Sequence, residues 1–167
     1  MGSSRAPFTY GLLLALCLPL LAQAGKHDDV HNAVRCSENG FALGGYDAVS
    51  YHLNSGPLLG SPEILIEHGG NTYSFVSTEN RRLFEQDPSK YAPSYLGWCS
   101  TALAHGRLLC PDYTNYKIEN GRLLLFENVG FVNGRDLWNS NEDRYRRRAN
   151  NNFKKFVERG RHAEDDA

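Results

Sequence analysis

The sequence has no surplus of charge of either sign. Its 167 residues carry 18 Lys+Arg against 19 Asp+Glu, a formal net charge of −1 at pH 7. That balance gives no chain-wide attraction for nucleic acid, and no nucleic-acid partner is expected. There is no Gly-x-Ser-x-Gly elbow, no His-Glu-x-x-His, no phosphate loop and no dinucleotide-binding fingerprint. The enzyme classes that announce themselves by those motifs are therefore not indicated. No Cys-x-x-Cys is present, which removes the thioredoxin-like redox motif. Internal repeats and low-complexity tracts are also missing, and with them the repeat architectures and compositional linkers. Long apolar runs are absent except for one at the start.

That run, Tyr10 to Leu21 (YGLLLALCLPLL), follows Arg5 and precedes Ala22-Gln23-Ala24. A positive head, an apolar stretch short for a bilayer and a small-x-small site together describe a secretory signal peptide over 1–24. Cys17 lies within it, but Leu16 precedes the cysteine and the apolar run continues past it, unlike a lipoprotein signal. Cleavage after Ala24 leaves an exported chain, periplasmic or secreted, without a stable membrane span. Its size suits one domain with a modest core. The expected organisation is a signal peptide at 1–24, a flexible polar segment at 25–40, a folded domain at 41–159 and a disordered tail at 160–167.

Within the body, EILIEHGGNTYSFVS reads as a β-hairpin, with strands at Ile64 to Glu67 and Thr72 to Val76 around Gly69-Gly70-Asn71. Ser77 or Thr78 can cap a helix, TENRRLFEQ, that turns Leu83 and Phe84 inward and stops before Asp87-Pro88. A helix from about Trp98 to His105 follows, ended by Gly106. On it Cys99 would share a face with Ala102 and Leu103. YKIENGRLLLFE is a second hairpin, turned at Asn120-Gly121. In the C-terminal third Tyr145, Ala149, Phe153 and Phe156 recur at helical spacing and form a buried face. The RYRRR run, Arg144 to Arg148, suits an anionic partner but, among Glu142, Asp143 and Asn150 to Asn152, reads more simply as a solvated helix face. The sum is a small single α+β domain: two β-hairpins, short intervening helices and a helical C-terminal segment.

After signal removal three cysteines remain: Cys36, Cys99 and Cys110. An oxidising compartment favours a disulfide, and the odd number leaves one thiol over. Closing the long loop Cys36–Cys110 contributes about 4 kcal/mol on the chain-entropy model and the short loop Cys99–Cys110 about 3 kcal/mol, which does not choose between them.

Read in order, ALGGYDAVSYH, TYSFVSTENRRLFEQDPSKYAPSYLGWC and YKIENGRLLLF resemble the exported YHS-domain proteins. The family form runs Gly-Tyr-Asp-Pro-Val-Ala-Tyr-Phe, then Tyr-x-Phe-x-Ser-x-Glu-Asn-Arg-x-x-Phe, then Pro-x-Lys-Tyr-Ala-Pro-x-Tyr-Gly-Gly-Tyr-Cys, and the likeness covers about residues 42 to 156. Ala48, His52 and Leu96-Gly97-Trp98 depart from it. Cys99 belongs to the family pattern, whereas Cys36 and Cys110 do not. The resemblance thus implies that those two pair with each other and leave Cys99 free. Other YHS modules are thought to bind metal through cysteines, but here the corresponding places hold Ser50 or its neighbours and Val76 to Glu79. The soft ligands for a copper-like ion are missing from them.

Several residues nevertheless stand out. Cys99 reads as a small buried side chain, as a ligand shared with His52, His68 or His105 around zinc or copper, or as a reactive thiol at a helix N-terminus. Tyr46, Tyr51, Tyr91, Tyr95 and Trp98 pack a core or line a small-ligand pocket beside Asp47, which can equally cap the turn at AVSYH. Cleavage after Ala24 would expose Gly25-Lys26-His27, whose amine, amides and imidazole suit a square-planar Cu(II) or Ni(II). The expectation is a non-enzymatic, exported YHS-type binding module for a metal ion, copper-like or zinc, or a small ligand. The alternatives are a thiol-dependent redox protein acting through Cys99 and a protein-interaction module using the aromatic cluster.

Overall fold

A computed structural model describes residues 36–38 and 40–165 of the chain. The first half builds a sheet from β1 (Ser37–Glu38), β2 (Phe41–Ala42), β3 (Ser61–His68) and β4 (Asn71–Phe75), ordered β1-β2-β4-β3. β3 and β4 are the first expected hairpin, antiparallel, with His68 opposite Asn71. Gly69 and Gly70 make its turn at φ 55° and 67°, a conformation that penalises residues with a Cβ. β2 runs parallel to β4, with Phe41 beside Thr72. Helix α1 (Thr78–Gln86) starts at the cap foreseen for it: the Ser77 hydroxyl accepts the Asn80 N–H at 3.1 Å. Its Phe84 ring lies 4.6 Å from that of Tyr73 and 5.4 Å from that of Phe75. A single turn, α2 (Pro88–Tyr91), follows under an Asp87 cap.

The second half starts with α3 (Ser100–Ala104) and the hairpin of β5 (Asp112–Glu119) and β6 (Arg122–Phe126). Asn120 and Gly121, at φ 51° and 77°, turn it, as Asn-Gly turns between strands do. β6 reads RLLLF without alternation, and the structure explains why. Leu123 and Leu125 join the core of the sheet half, while Leu124 and Phe126 join a second core with Trp138, Leu103 and Ala149. A strand buried on both faces needs no polar alternation. The second core is closed by α4 (Gly134–Ser140) and by α5 (Glu142–Asp165), which packs Tyr145, Phe153 and Phe156 against it as their spacing requires. Between β6 and α4 stands a small hairpin, β7 (Asn128–Val129) and β8 (Val132–Asn133).

The α+β architecture is the expected one, with four differences in detail. The end of the supposedly flexible segment 25–40 enters the sheet as β1, because Cys36 is fixed to Cys110 by a disulfide with its Cα atoms 5.4 Å apart. The helix expected over Trp98 to His105 contracts to α3, because Tyr95, Leu96 and Gly97 take positive φ of 56°, 56° and 85° and the chain re-enters a helix only after Cys99. α5 continues past Gly160 to Asp165. The hairpin β7–β8 had no counterpart in the sequence reading, and the helical C-terminal segment divides into α4 and α5. No helix among the described residues is long and apolar enough to cross a membrane.

Candidate functional site

Asp47 is wholly buried, and each of its oxygens is occupied. Oδ1 accepts the Val49 and Ser50 N–H groups at 2.8 and 3.3 Å. Oδ2 accepts the Val76 N–H at 3.0 Å and the Asn80 side-chain amide at 2.7 Å. The carboxylate caps the 3-10 turn Ser50–His52 and also ties it to the end of β4 and the start of α1. Four donors thus replace the water that burial has taken from this carboxyl group.

The aromatic residues singled out with Asp47 divide between the two cores. Tyr46, Tyr51, Tyr91 and Trp98 pack in or against the sheet-side core. Tyr51 donates its hydroxyl to the Tyr113 carbonyl at 2.8 Å and meets Tyr116 edge-on, with centroids 5.0 Å apart. Burial, with the neighbouring Tyr46, Tyr113 and Tyr116, pushes its hydroxyl far above the ordinary tyrosine range. Tyr95 belongs to the other core, where its hydroxyl donates to Asn150 at 2.8 Å and its ring meets Phe153 at 5.5 Å. A single pocket lined by the whole set is therefore not formed.

Cys99 is the N-cap of α3 and does not lie on a helix face with Ala102 and Leu103. Its backbone N–H donates to Leu109 at 3.0 Å. Its sulfur, fully buried, accepts the N–H groups of Ala102 at 3.4 Å and Glu127 at 3.3 Å. Burial pushes the thiol up from its ordinary pKa against the pull of those two donors, so it stays protonated at neutral pH. His105 sits at the other end of α3, about 9 Å along the axis by helix rise, exposed and edge-on to Tyr145 at 5.8 Å. His52 packs edge-on against Tyr91 at 5.2 Å. Its Nε2 is buried without a hydrogen-bond partner, and burial and Lys90 lower its pKa. His68 lies against Phe84. Thus Cys99, His52, His68 and His105 each keep separate company. Among the described residues no three His, Cys, Asp or Glu side chains converge as a metal site. This donor set does not fit zinc or copper, which take three or four converging ligands. Gly25 and His27 lie outside the described residues.

The feature the sequence reading missed is the hairpin β7–β8. Phe131, at its tip, is 110 % exposed, and Val129, Val132 and Leu137 are also exposed. Its base is fastened. Asn115, buried at a bulge in β5, points its side-chain amide at the Glu127 carbonyl and at the Oδ1 atoms of Asn128 and Asn133, at 3.4, 3.1 and 3.1 Å. Asn128 in turn donates to Asp112 at 2.8 Å. Asn133 Oδ1 also caps α4 through the Arg135 N–H at 2.9 Å. The signal was present in NVGFVN, a glycine between short β-favouring residues flanked by asparagines. No family model matches this chain, and neither a curated protein nor a solved structure matches it.

Proposed function

We propose that this chain is an exported, non-enzymatic binding module of YHS type, and that it engages a protein partner through the hairpin β7–β8. One observation carries the reading: Phe131 is fully exposed on a hairpin whose base is locked by Asn115. An aromatic ring held outward on a fastened support buries large area on contact and loses little conformational freedom. The partner's chemistry follows from the shape. It offers an apolar cleft that takes a phenyl ring with a valine on either side. The side chains with intrinsic reactivity support a binding role, since the Cys99 sulfur and the Asp47 carboxylate are both engaged in holding the fold.

The test is photo-crosslinking with p-benzoylphenylalanine at position 131 in the producing cell, with Asn120, at the tip of the other hairpin, as control position. The expected result is a discrete protein adduct at 131 that is absent at 120. A Phe131→Ser chain should keep its Tm while losing the crosslinked protein in co-purification. No adduct at 131, or the same adducts at both positions, overturns the reading.

A further inference from the structure

The near-neutral charge balance conceals a segregated surface. Arg144, Arg147, Arg148, Lys154, Lys155 and Arg159 are all exposed on α5. At about 3.6 residues per turn, Arg144, Arg148, Asn151, Lys155 and Arg159 form one stripe about 22 Å long, with Arg147 and Lys154 along its margin. The side chains that α5 buries, Tyr145, Ala149, Phe153 and Phe156, lie on the opposite side, against the second core. Among the described residues Arg144, Arg147, Arg148, Lys155 and Arg159 form no salt bridge, and Lys154 meets only Glu158, at 3.8 Å. Arg146 behaves oppositely. It turns inward and is held by Glu119 at 2.9 Å and Asp143 at 2.7 Å. Of the acidic side chains on or beside α5, Glu119, Glu142 and Asp143 engage Arg146 and Lys117, while Glu158 stands on the cationic face beside Lys154, so five of the six outward cations meet no carboxylate among the described residues.

We infer that the outward face of α5 is a docking surface for an anionic lipid bilayer. The sign of the charge selects an anionic partner. Its arrangement favours a planar one: a straight row without an apolar side chain to insert, lying across headgroups as polybasic segments do. Two features disfavour nucleic acid. No aromatic side chain stands on this face to stack a base. A recognition helix enters a groove by its N-terminal turn, and in α5 that turn carries Glu142 and Asp143, whereas a bilayer meets the side of the helix, where the cations stand. Docking is electrostatic and peripheral, and it is screened when the Debye length contracts. It is independent of the Phe131 hairpin, so failure of one does not carry the other.

The experiment is co-sedimentation of the full mature chain with vesicles of phosphatidylglycerol and phosphatidylcholine in equal parts, and with phosphatidylcholine alone, at about 25 mM and about 300 mM salt, conditions chosen to move the Debye length across the reach of these side chains. The expected result is binding to the anionic vesicles only, lost at the higher salt. A chain carrying Arg144→Gln, Arg148→Gln and Lys155→Gln should keep the wild-type Tm, because those side chains are exposed, and bind about 100-fold more weakly. Phe131→Ser should bind as the wild type does. Equal binding to phosphatidylcholine, undiminished binding by the triple variant, loss of binding in Phe131→Ser, or no binding at low salt overturns the inference. Preference for a DNA duplex over the anionic vesicles would reassign the surface to nucleic acid and overturn it equally.

Discussion

Cys99 shows how one residue's role turns on a few ångströms. On a helix face it would have been a spare apolar side chain. As the N-cap of α3, just after a left-handed turn, it became the acceptor for two backbone donors far apart in sequence, Ala102 and Glu127. The sequence marked Cys99 as part of a pattern, but the partner N–H at Glu127 lies beyond a hairpin and leaves no local trace. Under native conditions, alkylation of Cys99 should be slow, and denaturant should accelerate it at least about a hundredfold, because the thiol is both buried and held protonated. Cys99→Ser should remain within about 1 kcal/mol of wild type, since serine is a good N-cap. Cys99→Val should cost about 2 kcal/mol by leaving two buried N–H groups without an acceptor. Mass-spectrometric labelling rates and urea midpoints decide both points. Fast native labelling would instead speak for the thiol-dependent alternative.

Among the elements, the left-handed turn before α3 is the least ordinary. Tyr95 and Leu96 both sit at φ 56°, which costs a side chain-bearing residue about 1–2 kcal/mol. The two differ in what holds them there. Tyr95 is anchored by Asn150 and Phe153, whereas Leu96 is only half-buried. Leu96→Gly should therefore leave Tm unchanged or raise it, while Tyr95→Gly should lower it clearly. Thermal unfolding of the two variants checks this, and equal losses would show that the leucine side chain is needed. The turn also marks the limit of legibility at this scale. Elements with local chemistry were readable: the Gly69-Gly70 and Asn120-Gly121 turns, the Ser77 cap and the 145–149–153–156 spacing. Elements set by distant partners were not. The two-residue strands β1 and β2 exist because the Cys36–Cys110 bond and β4 hold them, and α4 is fixed by Asn133 and by Trp138 reaching Glu119.

For the whole molecule, Glu119 is the charged link across the second half. Its carboxylate accepts Trp138 Nε1–H at 3.0 Å and Arg146 Nε–H at 2.9 Å. Lys117 stands 3.6 Å away and also pairs with Glu142. Burial pushes the Glu119 pKa up, but Arg146, Trp138 and Lys117 outweigh it, and the net shift is downward. A carboxyl with a depressed folded pKa stabilises the fold above its unfolded value and loses that contribution as pH falls through the folded one. Urea midpoints of the wild type should hold near neutrality and decline below about pH 4.5, the ordinary value from which Glu119 is lowered. Glu119→Gln should be about 1–3 kcal/mol less stable at neutral pH and should show a shallower decline in acid. Parallel acid profiles would mean that other carboxylates carry the effect. The split of candidate residues between two cores was beyond sequence reading for a related reason. Tyr91 and Tyr95 are four positions apart in one aromatic stretch, and only the strand between the cores sends them to opposite sides.

That strand has a consequence for motion. A fluctuation that lifts α3, α4 and α5 bares Leu124 and Phe126, yet Leu123 and Leu125 stay covered by the sheet half, and the converse holds when the sheet half loosens. Each half can thus open without freeing β6, and the last amides to exchange with solvent are those of the strand both halves own.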